Sequence, residues 1–244
     1  MKIQGEGHIF KRFDQEMNHL HSLVLEMGAL AIKQLQEANT TLSQGDTQAA
    51  KQVISNDALL NALDIQADNE ITSIIARRQP MAKDLREIIA VGKIVADLER
   101  AGDEARKIAG LTIRFFESGE NLPSKEILED IHGLSDFVIS MLATSMKSFD
   151  DLDLDLAADV LNDSMKLDSK LQSTIRRLST FIMEDARNVG HFVDIVLGIR
   201  ALERFGGHAK NIAGHIVFIK SGEDVRHAGL QELLSRIVSQ PQSE

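Results

Sequence analysis

Apolar positions recur along this chain in steps of three and four over long stretches. Phe10, Phe13, Met17, Leu20, Val24, Met27 and Ala31 form one such stripe, and Val91, Val95, Leu98, Gly102, Ala105, Ala109, Thr112 and Phe116 form another. That spacing is the seam of helices packed side by side as in a coiled coil. Helix breakers are few and widely spaced. They fall at Gly45-Asp46, Gln79-Pro80, Ser118-Gly119 to Leu122-Pro123, Asp151 to Asp155, Asp185 to Gly190 and Ser221-Gly222. They predict an all-α chain of six long helices, each of roughly 25–38 residues.

The third and sixth segments match in letters. Leu98-Glu99-Arg100 recurs as Leu202-Glu203-Arg204, and Ile108-Ala109-Gly110 as Ile212-Ala213-Gly214. Ser118-Gly119-Glu120 recurs as Ser221-Gly222-Glu223, and upstream Ala49-Ala50 with Val53-Ile54 resembles Ala157-Ala158 with Val160-Leu161. A period of about 100 residues is too long for an ordinary solenoid repeat, so the pattern predicts a tandem duplication of a three-helix unit. The first unit is placed at residues 8–119 and the second at 124–222, followed by a polar tail at 223–244 with at most a short helix from about Arg226.

Composition narrows the chemistry. The chain has 244 residues, long enough to bury a substantial core. It contains no cysteine, which removes disulfides, thiolate metal sites and cysteine nucleophiles and fits a reducing cytosol. A net charge of -10 argues against nucleic acid as a partner and favours basic partners or cations. The N-terminus lacks the apolar stretch of a signal peptide, and no stretch reaches the ~18 apolar residues of a spanning helix. A cytoplasmic protein that meets membranes only through partners is expected.

The most informative charges sit in the second helix. At about 100° per residue, Asp57, Asn61, Asp64 and Asp68 share a face with Val53, Ile71 and Ile75, so an acid stripe is expected to run down the apolar side. The third helix offers Glu99 and Asp103, four apart beside Leu98 and Gly102. If the two helices pack antiparallel through the Pro80 connection, Asp64 and Asp68 meet Glu99 and Asp103, and four hard oxygen donors suit Mg, Ca, Mn or Fe. The competing reading is an ion-pair network in which Arg100 and Arg106 neutralise these acids. In the second unit Asp168 and Glu203 remain, but Gly207 stands where Asp103 stood and Leu171 where Asp64 stood. His208 and His215, seven apart, share a face there and are read as partly exposed.

Arg78-Gln79-Pro80-Met81-Ala82-Lys83-Asp84-Leu85-Arg86, then Leu98 to Asp103, then Met183-Glu184-Asp185 and Leu202 to Gly206, resemble the PhoU family over about residues 8 to 228. The resemblance implies two antiparallel three-helix bundles related by a pseudo-twofold axis, no catalysis, and negative regulation of phosphate uptake and of the phosphate-starvation response. The implied partners are the ATPase subunit of a phosphate ABC transporter, a phosphate-sensor histidine kinase and a second copy of the chain. It also implies candidate metal ligands for Fe, Mn, Mg, Zn or Ca, none of them required, in Glu/Asp-x-x-x-Asp motifs. Asp64 to Asp68 and Glu99 to Asp103 match that motif, and Glu203 matches its first position. Asp84 and Arg86, with Arg100 and Arg204, are the candidate partner contacts.

The rival is a carboxylate-bridged di-iron or metal-storage bundle, built from Glu-x-x-His motifs that project inward. Glu16 with His19 and Glu129 with His132 fit those letters, but Glu129 and His132 fall far from their apolar seam and Glu16 and His19 on the flank of theirs, so neither pair is expected to project into a bundle core. A second alternative is a purely structural helical adaptor in which the acids serve ion pairs alone. There is no phosphate-cradling glycine loop, nucleophile elbow or HExxH sequence.

Overall fold

A computed structural model describes residues 6–117, 124–184 and 189–222, with side chains from residue 12 onward except at 181–191. Six helices follow one another: α1 (Glu6–Gln44), α2 (Thr47–Arg78), α3 (Lys83–Glu117), α4 (Lys125–Asp151), α5 (Leu154–Glu184) and α6 (Val189–Ser221). No strand occurs among the described residues. The tail helix anticipated near Arg226 and the side chains of Met183 to Asp185 lie outside them.

Local chemistry marks the turns and helix starts at Gly45-Asp46, Gln79, Ser124 and Leu152-Asp153. Asp46 caps α2 by accepting from the Ala49 amide at 2.9 Å, and Ser124 caps α4 by accepting from the Ile127 amide at 3.4 Å. Asp153 accepts from the amides of Asp155 at 2.8 Å and Leu156 at 3.2 Å and so opens α5. Gly45, Gln79 and Leu152 take left-handed conformations at the turns (φ 69, 48 and 48). For Gly45 this is free of penalty, whereas Gln79 and Leu152 carry a Cβ into that region.

Each unit is an up-down-up bundle. As α3 descends from Glu117 to Gly92, its α2 neighbours rise from Lys51 through Leu60 to Ile71, so α2 and α3 are antiparallel. Within each bundle one glycine sets the closest approach. A Cβ on Gly102 would stand 2.2 Å from the Leu60 side chain, and one on Gly206 would stand 2.4 Å from that of Leu167. The same leucine-over-glycine fit in both bundles is the duplication expressed as packing.

The bundles meet through α1 against α4 and α3 against α6, while α2 and α5 touch only helices of their own unit. Lys93 meets Phe218, Glu104 meets Arg204 and Arg114 meets Asp194, so α3 and α6 cross antiparallel. This double duty explains why α3 is buried on two faces. Val91, Val95, Leu98, Ala105 and Ala109 fill its own bundle, and Ile94, Ala101, Ile108, Leu111 and Phe115 widen the buried surface beyond that seam. No helix among the described residues is long and apolar enough to cross a membrane.

Candidate functional site

The acids of α2 do not form one stripe down the buried face. Asp57 is buried, Asp64 is half-buried, Asp68 and Asn61 are exposed, and Ile75 is 37 % exposed. The buried face is centred on Leu60, Ala67 and Ile74, which lie about 60–100° to one side of Asp57. The acids therefore line the rim of the apolar face rather than its centre.

Asp57 accepts from the Gln34 amide at 3.0 Å and faces the Arg106 guanidinium at 3.6 Å, while Arg106 donates to Asp103 at 2.7 Å. Arg106 thus satisfies part of the cluster, as the ion-pair reading anticipated. Glu99 is left among like charges. Burial first, then Asp103, Asp64 and Asp57, push its carboxyl up against the pull of Arg100. Burial and Asp68 push Asp64 up. The four predicted acids do share one α2–α3 surface: Glu99 feels Asp103 and then Asp64, and Asp64 in turn feels the exposed Asp68.

A metal would need several of these oxygens on one point. Among the described residues no group of three or more His, Asp or Glu side chains is placed to hold a metal ion. As they stand, the acids form a negative patch braced by Arg106, not a chelating cage. In the second unit Asp168 is exposed and Glu203 is held by Arg200 at 2.6 Å. The Glu-x-x-His pairs are also committed elsewhere. Arg78 grips Glu16 with two bonds of 2.7 and 2.8 Å and, by that hydrogen bonding, holds its carboxyl down, while His132 stands 3.5 Å from Asp136 on the surface.

The predicted partner contacts divide. Asp84 is exposed in the first turn of α3. Arg100 is also exposed. Arg86 is half-buried against the end of α6, where a Cβ on Gly222 (φ 80) would stand 2.2 Å from its guanidinium. Arg204 is spent inside the chain, donating two bonds of 2.8 Å to the buried Glu104 of the other bundle. Burial works against ionising Glu104, but the hydrogen bonds from Arg204 and Lys107 prevail and hold its carboxyl below the usual range.

The α3–α6 crossing holds what sequence reasoning missed. Asp97 is buried and receives His208 Nδ1 at 2.8 Å and Asn211 Nδ2 at 3.1 Å on one oxygen, with His215 Nε2 at 3.4 Å from the other. The two histidines are not partly exposed bystanders: their side chains are 14 % and 6 % exposed. Burial raises the Asp97 carboxyl, yet the bonds from His208, His215 and Asn211 outweigh it and bring it down to about 2. A signal existed. Ala90, Asp97, Glu104 and Leu111 are spaced by sevens, so acids interrupt a second buried stripe.

The geometry can be set beside known proteins. The PhoU domain model matches residues 24–112 and again 131–216, once in each bundle. The chain belongs to the PhoU family. The PhoU homolog of Pseudomonas putida, a phosphate-specific transport system accessory protein, is 37 % identical over 94 % of this chain and 89 % of its own length. The Escherichia coli K12 PhoU of the same description is 33 % identical over 93 % of this chain and 92 % of its own. The crystal structure of PhoU from Pseudomonas aeruginosa superposes with a TM-score of 0.82 at 36 % identity, covering 86 % of this chain and all of that one. The PhoU fold, two three-helix bundles in an all-α chain, is the one these six helices form.

Proposed function

We propose that this PhoU-family chain is a regulatory accessory protein of phosphate transport. It acts as a cytoplasmic negative regulator that links the ATPase subunit of a phosphate ABC transporter to a phosphate-sensor histidine kinase, and it works without catalysis. The observation that carries this reading is the PhoU domain match in both bundles, supported by relatives described as phosphate-specific transport accessory proteins over nearly their whole length. The surface agrees with a docking role. Asp84 and Arg100 are exposed on α3, and Met81, at 79 % exposure, stands in the turn that precedes it. An exposed methionine beside charged side chains suits an adaptable protein contact.

Deleting the gene and measuring phosphate-starvation transcripts in phosphate-rich medium tests the reading. Derepression is expected, along with capture of the transporter ATPase and the kinase by the tagged chain. Transcripts that stay repressed, with neither partner captured, sink it.

A further inference from the structure

The docking role leaves unexplained the cluster buried between the two bundles. Asp97 lies on α3, and His208, Asn211 and His215 lie on α6, so every bond in the cluster ties one repeat to the other. The second contact between repeats also sets a histidine by an aspartate, but at the surface, with His21 on α1 placed 3.5 Å from Asp150 on α4 and stacked on Phe149. An asparagine or glutamine could donate to Asp97 equally well. Histidine adds one property, a charge that changes near neutral pH.

Charge counting separates three states of the cluster. Asp97 supplies one negative charge, and two imidazoles can supply two positive ones. With both neutral, each can donate an N–H to an anion. With one protonated, the cluster becomes a matched ion pair. With both protonated, an excess cation is buried at the seam, which a low-dielectric environment resists.

The surrounding charges do not relieve that excess. On α3, Lys93 and Arg100 lie one turn to either side of Asp97, and Lys93 already stands over the Phe218 ring at 5.8 Å. Glu104 is the acid on the same stripe of α3, but Arg204 of α6 and Lys107 of α3 both hold it, while Glu99 and Asp103 stand about 160° and 120° around α3 from Asp97, on its α2 side. Farther along the crossing, Asp194 of α6 is taken by Arg114 at 2.6 Å. At the α1–α4 contact His21 and Asp150 are paired with each other, and α2 and α5 touch only helices of their own repeat.

We propose that Asp97, His208 and His215 form a proton-sensitive clasp between the two repeats, closed while at least one imidazole is neutral and released when both are protonated. Asp97 stays ionised throughout the range in which free imidazole titrates, near ~6.5. The histidines alone therefore set the state of the clasp.

The absence of native cysteine makes the test clean. Spin labels on Ala62→Cys and Ser169→Cys, at exposed positions of α2 and α5, report the distance between the bundles in the full chain. A narrow distribution at pH 8 should lengthen or broaden at pH 5, with helicity by circular dichroism unchanged. His208→Gln and His215→Gln each keep an N–H donor but cannot become charged, so each should remain narrow at both pH values. If His215→Gln does not fold, His208→Gln decides alone. A distribution that ignores pH in the parent, a response that persists in the folded histidine variants, or one abolished by His21→Gln overturns the clasp. So does helix loss that tracks the label distance.

Discussion

The two repeats share a packing skeleton and differ in what they display on it. With Leu60 over Gly102 matched to Leu167 over Gly206, the register of the two bundles is fixed. Asp57, Asp64 and Asp68 of α2 then correspond to Ser164, Leu171 and Ile175 of α5, while Glu99 and Asp103 of α3 correspond to Glu203 and Gly207 of α6. Five carboxylates face one. Shape complementarity constrains the buried leucine and glycine closely, whereas the positions flanking them accept a carboxylate, a hydroxyl or an alkyl group, with Ser164 and Leu171 buried where Asp57 is buried and Asp64 half-buried. The two repeats therefore keep one fold while the carboxylates at these five positions stand almost wholly in the first.

The largest expected effects test whether the skeletons are equivalent. Leu60→Ala and Leu167→Ala each empty the space over a helix-facing glycine, and each should cost about 2–5 kcal/mol in urea unfolding. Similar losses are expected because both leucines are nearly fully buried. A loss confined to one variant would show that only one bundle depends on this fit.

The arginines should separate the repeats more sharply. Arg100 and Arg204 occupy the same place in the duplicated Leu-Glu-Arg, but only Arg204 clamps a buried acid across the seam. Arg204→Ala should cost about 1–3 kcal/mol, because Glu104 keeps only Lys107 for company. Arg100→Ala should stay within about 0.5 kcal/mol. The pH profile carries a sign as well. Glu104 has a folded value held below its unfolded one, so its contribution is present above the ordinary carboxylate range and is lost as pH falls through the folded value. Arg204→Ala should therefore flatten the acid side of the stability curve, and Arg100→Ala, which removes only an exposed charge that pulls Glu99 down, should change it much less.

These contrasts mark how far the sequence could be read. The six helices, their breaks and the duplication were legible because a seam of threes and fours needs only the residue letters. The α2–α3 proximity of Asp64 and Glu99 was legible too, since a short connection through Pro80 forces antiparallel packing. Two things were not. The exposure of Asp68 depends on where the centre of the buried face falls, and an error of about 60° moves a side chain from core to rim. The Asp97 cluster depends on α3 crossing α6, residues more than a hundred positions apart. Helical periodicity says which faces are buried, not against what. The histidines and Arg204 looked available for other work until the second bundle supplied their acids.

The smallest expected effect probes the negative patch itself. Asp64 and Glu99 are both raised above their ordinary values, by burial and by neighbouring carboxylates. For an acid shifted this way the native state holds protons more tightly than the unfolded one, so these groups favour folding at low pH and lose that advantage as pH rises through their folded values. At neutral pH, Asp64→Asn and Glu99→Gln should each raise the unfolding midpoint slightly, and the gain should shrink as pH falls into the carboxylate range. Glu203→Gln, in the second repeat, should show no such gain, because Arg200 sits 2.6 Å from its carboxylate. A fall in midpoint for Asp64→Asn would reverse the sign and mean that a bound cation, not repulsion, sets the energy of the patch. Repeating the measurement with a chelator would then abolish the difference between Asp64→Asn and the parent.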